Sequence, residues 1–224
     1  MFAQNTSMKK LLAICTAALL FASCEKDVVR GTGSIVTEER SAGTFNAIST
    51  FGSAKIYVSY APEITVKVKG YQNLVSNYKT DVSGNTLNLR YRDNLNVRND
   101  NIEVYITMPG FNALTSNGSS PIKATGSYND TESLAISTSG NADISIDEMN
   151  VNNYTIQSSG NSDIATLGVK SKSAKVELSG NGTITLSVQD KLDVHISGNG
   201  KVSYKGDPGD ITTDISGSGT VVKL

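Results

Sequence analysis

The sequence predicts an all-β protein whose second half is a right-handed parallel β-helix of about 20 residues per coil. Three observations carry this. The composition suits strands and turns: glycine reaches 20 residues and tyrosine nine, and tryptophan is absent. One short phrase, Ser-Gly-Asn or a close variant, recurs from residue 116 to the end. Apolar β-branched residues also keep a fixed distance from the glycine of that phrase. Strands favour such residues, and a fixed repeat period is the sequence signature of a solenoid.

The phrase reads Ser116-Asn117-Gly118-Ser119, Ser139-Gly140-Asn141, Ser159-Gly160-Asn161, Ser179-Gly180-Asn181-Gly182, Ser197-Gly198-Asn199-Gly200 and Ser216-Gly217-Ser218-Gly219. Successive glycines lie 22, 20, 20, 18 and 19 residues apart. Four positions after each stands Ile122, Ile144, Ile164, Ile184, Val202 or Val221. Four before stands Leu114, Ile136, Ile156, Val176, Val194 or Thr213. Side chains alternate along a strand, so even offsets point one way and odd offsets the other. Each phrase is therefore a corner between two short strands, with even offsets inward and the glycine giving a tight bend. Stacked at about 4.8 Å, six such coils span roughly 25 to 30 Å. Asn141, Asn161, Asn181 and Asn199 fall in one column and predict an amide ladder. Right-handedness follows from the strong chirality of parallel crossovers. Calcium-binding nonapeptide repeats and six-residue left-handed coils fit neither the period nor the phrase.

The first half is β-rich but irregular. Strands are expected at Lys55 to Tyr60, Ile64 to Lys69, Thr86 to Tyr91 and Ile102 to Met108. A turn is expected at Ser83-Gly84-Asn85, and a short helix or loop at Tyr71 to Tyr78. Residues 43–110 read either as degenerate coils or as a cap over the first regular coil at 111–224. One continuous domain, 43–224, is the preferred reading.

The N-terminus reads as an address. Lys9-Lys10 precedes an apolar run from Leu11 that ends in Phe21-Ala22-Ser23-Cys24. This is the basic, apolar and small-residue order of a signal peptide, too short to span a bilayer. Its end resembles a bacterial lipobox, which makes residues 1–24 a lipoprotein signal and Cys24 the acylated residue. Val28 to Ala42 then reads as a tether (25–42 in all). Cys15 and Cys24 are the only cysteines, so the expected mature body has no disulfide and no thiolate metal site.

Phe45-Asn46-Ala47-Ile48, the strands after it and the serial Ser-Gly-Asn-Gly phrases resemble the head GIN domain family, over roughly Gly43 to Leu224. The family carries an autotransporter-adhesin label and is widespread in lipoproteins of Bacteroidetes. The resemblance implies a right-handed β-helix, an adhesin-like role and an envelope location; it brings no catalytic residues.

The chemistry outside the repeat is sparse. A net charge of −1 argues against nucleic-acid binding. His195 is the single histidine and sits at an outward offset, which leaves it a solvated surface group. Asp143 and Asp163 share an outward offset on adjacent coils, near 5 Å apart by strand spacing. That pair is the one candidate for a carbohydrate-cleaving or cation-binding site, and mutually repelling surface charges are the preferred reading. Arg90, Arg92 and Arg98 lie with Tyr91, Asp93 and Asp100 in a mixed cluster; tyrosine beside arginine suits a sugar or anion, but the acidic neighbours largely balance the charge, and a surface without a binding role is the preferred reading. No cofactor or metal is expected. The expected function is a lipid-anchored outer-membrane protein, facing the cell surface, that binds a glycan or protein without cleaving it. A periplasm-facing assembly factor and a carbohydrate-active enzyme are the alternatives. Exposed end strands favour a homodimer through end coils.

Overall fold

The computed structural model describes residues 27–224, and of Asn129 and Asp130 the backbone alone. The signal segment and Cys24 lie outside the described residues. Among the described residues, seventeen strands and one short helix, α1 (Gln72–Val75), make up the fold. Nearly all strands join one sheet that wraps into a parallel solenoid.

The regular coils follow the corner rule. β10 (Ala113–Gly118), β11 (Ile122–Gly140), β12 (Ile144–Gly160), β13 (Asp163–Gly180), β14 (Thr183–Gly198), β15 (Lys201–Lys205), β16 (Asp210–Gly217) and β17 (Thr220–Lys223) stack in parallel register. Gly118 pairs with Gly140, Gly140 with Gly160, Gly160 with Gly180, Gly180 with Gly198 and Gly198 with Gly217. Even offsets are buried: Ile136, Ile144, Ile156, Ile164, Val176, Ile184, Val194 and Val202 are each at most 1 % exposed. Asn161, Asn181 and Asn199 each donate their side-chain Nδ2–H to the Oδ1 of the asparagine one coil earlier, at 3.1, 3.0 and 3.2 Å.

The glycines serve a reason beyond the bend. Gly140, Gly160, Gly180 and Gly198 have φ between +126° and +132°, in or near which only glycine is comfortable. A Cβ on any of them would also press into the backbone of the glycine one coil earlier. The corner is closed to side chains along the stacking axis, not only toward the core.

The residue two places past the glycine is set by reciprocal packing. At offset −2 the inner corner holds Ser116, Thr138 and Ser158, then Leu178 and Ile196, all buried. The early hydroxyls are satisfied locally: Ser116 donates to the Ser120 carbonyl at 2.9 Å and Thr138 to Ser158 at 2.9 Å. Where Leu178 and Ile196 replace them, offset +2 becomes Gly182, Gly200 and Gly219. A Cβ at Gly200 would strike Leu178, and one at Gly219 would strike Ile196. The change from Ser-Gly-Asn-Ala or -Ser to Ser-Gly-Asn-Gly is thus the space needed by a larger side chain.

The irregular half is coil and cap together. β3 (Ala47–Gly52) and β4 (Lys55–Tyr60) form a true coil, since Gly52 pairs with Gly118 and Ile56 with Ile122. Phe51-Gly52-Ser53 is therefore the first corner, with Ile48 and Ile56 at its ±4 positions. β7 (Thr86–Tyr91) and β9 (Glu103–Met108) stack below that coil in parallel. The chain thus inserts a lower layer before returning upward to β10. Antiparallel strands close this end: β6 (Tyr78–Ser83) on β7, and β5 (Thr65–Tyr71) on β9.

The expected tether is corrected. Residues 27–30 form β1, paired in parallel with β8 (Leu95–Arg98), and Ile35–Arg40 form β2, paired antiparallel with β5. β2 reads Ile-Val-Thr-Glu-Glu-Arg, with one face half-buried and the other in water. Such polarity suits an edge strand as well as a linker, which is why the sequence misleads.

The opposite end is open. Ile211, Thr213 and Ile215 continue the inward columns above Leu192, Val194 and Ile196. Among the described residues no coil lies above them, and Ile211 is 46 % and Ile215 40 % exposed.

Gly160→Ala is expected to destabilise the protein by at least about 2 kcal/mol, through a disfavoured φ and a backbone clash. Asn161→Ala should cost about 1 kcal/mol. Gly209→Ala, where a Cβ meets open space, should fall within about 0.5 kcal/mol. Urea unfolding of the three variants checks this order.

Candidate functional site

Odd offsets form the outward faces of the coils, and two of these faces gather chemistry. The first lies on the arm after each corner. Tyr57 on β4 pairs with Tyr105 on β9 and with Lys123 on β11. The two tyrosine rings stack, with centroids 5.1 Å apart and planes 18° from parallel. Tyr105 is 38 % exposed and Tyr57 partly buried, so the stack reaches the solvent-facing side of the coils.

A network fixes that platform. The Tyr105 hydroxyl donates to Glu103 Oε2 at 2.8 Å, and Lys69 Nζ meets the same oxygen at 3.1 Å. These two donors, the hydroxyl first, hold the Glu103 carboxyl below the usual range. The same contact, with Glu103's charge, raises the Lys69 ammonium.

Beside the platform lies a shallow hollow. Lys55, Tyr57 and Lys123 line one side of it, and Asp143 and Asp163 the other. Its floor is low because Pro121, Ser145 and Ala165 are short. Both aspartates are exposed and stand one rung apart, as their offsets require. The structure thus brings the sequence-expected pair together with an aromatic platform that the sequence reading missed. Outward alternation in the two strands marks Tyr57 and Tyr105 as surface residues. Their neighbourhood depends on β9 stacking under β4, which no local pattern reports.

The second face lies before the corner. Gln157, Glu177, His195 and Asp214 follow one another up a column at offset −3. Gln157 donates to Glu177 at 3.0 Å, and Lys175 pairs with Glu177 at 2.7 Å. His195 is less isolated than its sequence suggests. Its Nε2 lies 3.2 Å from Asp193 and its Nδ1 3.5 Å from Asp214. Carboxylates thus face both ring nitrogens. Among the described residues no group of three or more His, Cys, Asp or Glu is arranged to hold a metal ion.

The arginine–tyrosine cluster is absorbed by the closed end. Arg90 pairs with Asp93 at 3.0 Å and Asp81 at 3.8 Å. Arg98 stands in β8 opposite Arg30 of β1. Asp100 accepts from the Tyr91 hydroxyl at 2.7 Å, from Ser53 at 2.9 Å and from the Ile102 amide at 3.0 Å. It ties the first corner to the lower layer.

Burial is the chief reason the hydroxyls of Tyr78, Tyr91, Tyr128 and Tyr154 titrate above the ordinary tyrosine range, with Tyr128 pushed up to about 12. Folded values above unfolded ones mean stability that is whole below pH ~10 and lost as pH rises through the folded values. Unfolding free energy should therefore hold up to pH ~10 and fall steeply between about 10 and 12. Tyr91→Phe, which removes one titrating group, should flatten that fall, as chemical denaturation across this range would report.

The comparisons with known proteins agree with this architecture. No curated protein matches the chain. A solved structure of an adhesin, so described as putative, from Bacteroides fragilis NCTC 9343 superposes with a TM-score of 0.75 at 21 % identity, covering 88 % of this chain and 100 % of its own. A protein from Parabacteroides distasonis ATCC 8503, described as a putative lipid binding protein, gives a TM-score of 0.57 at 19 % identity, covering 88 % of this chain and 100 % of its own. A third, a putative adhesin from Parabacteroides merdae ATCC 43184, gives 0.55 at 16 % identity, with 88 % and 99 % coverage. At these identities the likeness concerns the fold. Residues 44–208 match the sequence profile of the family described as "Putative auto-transporter adhesin, head GIN domain", and the chain belongs to that family.

Proposed function

We propose that the protein is a lipid-anchored envelope adhesin that binds a glycan on the outward face built by Tyr57, Tyr105, Lys123, Asp143 and Asp163, without cleaving it. The observation that carries this is the Tyr57–Tyr105 stack standing beside the hollow that holds both aspartates. A flat exposed ring suits the C–H face of a sugar, being apolar at its centre and polar at its hydroxyl. Carboxylates and ammonium groups beside it accept from and donate to sugar hydroxyls with charge-assisted strength. The fold adds rigidity, because each side chain stands on a strand locked between neighbours.

Membership of an adhesin-described family supports the reading, as do the names of the two adhesin neighbours. Anchoring through Cys24 rests on the lipobox-like Phe21-Ala22-Ser23-Cys24. Acylation at that residue would tie the N-terminal end of the rod to the membrane, with the outward faces free along its length.

Binding of the purified full chain to a glycan array tests the site. Tyr105→Ala and the double variant Asp143→Asn/Asp163→Asn should each weaken a detected glycan at least tenfold while leaving thermal unfolding within a few degrees. Undiminished binding in both variants would move the site elsewhere, and glycan breakdown lost only in the double variant would convert the reading to an enzyme. Protease shaving of intact cells tests the address. Digestion of the folded body with a periplasmic marker intact is expected, whereas protection until the outer membrane is opened would favour the periplasm-facing alternative.

A further inference from the structure

We infer that the open end of the solenoid is an isologous interface, at which the edge of β16 pairs antiparallel with β16 of a second copy about Thr213. This rests on the geometry of the last coil and not on the glycan reading.

The open end is a cross-section of the core. Ile211, Thr213 and Ile215 occupy columns whose members one coil earlier, Leu192, Val194 and Ile196, are at most 2 % exposed. Val221 continues the column of Val202 on the other arm and packs only in part. Among the described residues the edge is also an unpaired backbone. Throughout the stack, odd offsets direct their amides at the coil before: Ala135 N–H to Asn112 O, Asn141 N–H to Gly118 O and Thr220 N–H to Gly200 O. A residue's N–H and C=O point to the same side of a strand. Residues 212, 214 and 216, at the odd offsets −5, −3 and −1 from Gly217, are therefore spent on β14. The N–H and C=O groups of Ile211, Thr213 and Ile215 face outward along the rod axis.

That alternation limits how a second strand can join. Two copies of β16 can bond only in registers that set residues 211, 213 and 215 against one another. The register about Thr213 places Ile211 opposite Ile215 of the second copy and Thr213 opposite itself. On the outer face it places Asp214 opposite Thr212 and Asp210 opposite Ser216. A slip of one pairing step in one direction sets Asp210 against Asp214, and in the other sets Asp214 against its own copy. Like charges directly opposite are destabilising, and β-branched or threonine pairs are stabilising. One register thus satisfies the backbone, covers both isoleucines and keeps every aspartate away from another.

The two ends of the rod are unlike, which argues for like meeting like. The far end finishes in short antiparallel edges, β2 and β6, bearing Glu38, Glu39, Lys79 and Asp81. Charged, short edges of this kind resist strand addition. The pairing is therefore closed, giving a dimer and not a fibre. Since β1 lies against β8 at the far end, the two β1 strands stand at opposite ends of a doubled rod.

A cysteine scan in the full chain tests the register, with the parent chain, whose own Cys15 and Cys24 lie in the N-terminal segment, as control. Across a two-fold antiparallel pair only the central residue meets itself, at about 5.5 Å between Cα atoms. That lies within the roughly 4.4–6.8 Å a disulfide spans. Thr213→Cys is expected to give a dimer band under mild oxidation, and Thr212→Cys and Asp214→Cys no more than the parent. A dominant band from either neighbour, or none from Thr213→Cys, overturns the inference. Sedimentation gives a second readout. The full chain should run at twice its monomer mass, and Ile211→Asp/Ile215→Asp should halve that mass with unchanged circular dichroism. A parent chain that stays monomeric at all concentrations overturns the inference irrespective of any glycan result.

Discussion

The constraint on which the structure depends is the distance between stacked corners. Neighbouring rungs of a sheet lie about 4.8 Å apart. At each corner the chain turns through a positive φ with its Cα over the previous corner's carbonyl. No side chain fits in that gap, so the corners from Gly118 to Gly217 must be glycine, while Gly52, whose Cβ would meet open space, is held to glycine by its φ of +107°. Once the corners are aligned, the columns flanking them are aligned too, and register shifts fall farther along the arms, as between Thr166 and Lys170. Ile over Ile, Val over Val and Asn over Asn are consequences of a single vertical contact.

Inside that frame the core is filled by compensation from rung to rung. Early coils place hydroxyls at the inner corner and bond them to one another, as Thr50 does to Ser120 at 3.2 Å. Later coils place Leu178 and Ile196 there and empty the facing position to glycine. The two solutions occupy similar space, one with hydrogen bonds and one with apolar contact. Tyr154 bridges longer distances, its hydroxyl donating to Thr166 at 2.8 Å and that hydroxyl in turn to the Thr185 carbonyl at 2.9 Å.

The regular coils were legible because their information is local and repeated. The glycine phrase and the ±4 apolar residues reveal corner, arm and facing direction without any long-range knowledge. By the same rule Ile48, Gly52 and Ile56 announce a coil, yet the phrase there reads Phe-Gly-Ser and the next corner is 66 residues on. The interruption concealed it. The layer of β7 and β9 was hidden for a different reason. Its place beneath β3 and β4 is earned by packing between segments far apart in sequence, and its connection through β8 has no corner glycine. β2 was lost to its own polarity. At the site, the offset rule placed Asp143 and Asp163 together, but the aromatic stack beside them needed the non-sequential order of layers.

The same separation of local and non-local information bears on where function is carried. A column whose members repeat, such as Asn141 to Asn199, is explained by the stack and is spent on it. Columns that change identity at each rung are released from that duty. The row through Tyr105, Tyr57, Lys123, Ser145 and Ala165 changes size and charge at nearly every step, and so does the row through Lys55, Pro121, Asp143, Asp163 and Thr183. Stacking energy does not account for aromatic, basic, small and acidic groups in succession on one face. Rigidity supplied by the repeating columns holds these varied groups at fixed spacings, which is what recognition of an extended polymer requires. The open coil extends the argument to the axis of the rod. A stack can end by being capped, as β2, β5 and β6 cap the first coils, by short and charged edge strands, or by meeting an edge that matches its own.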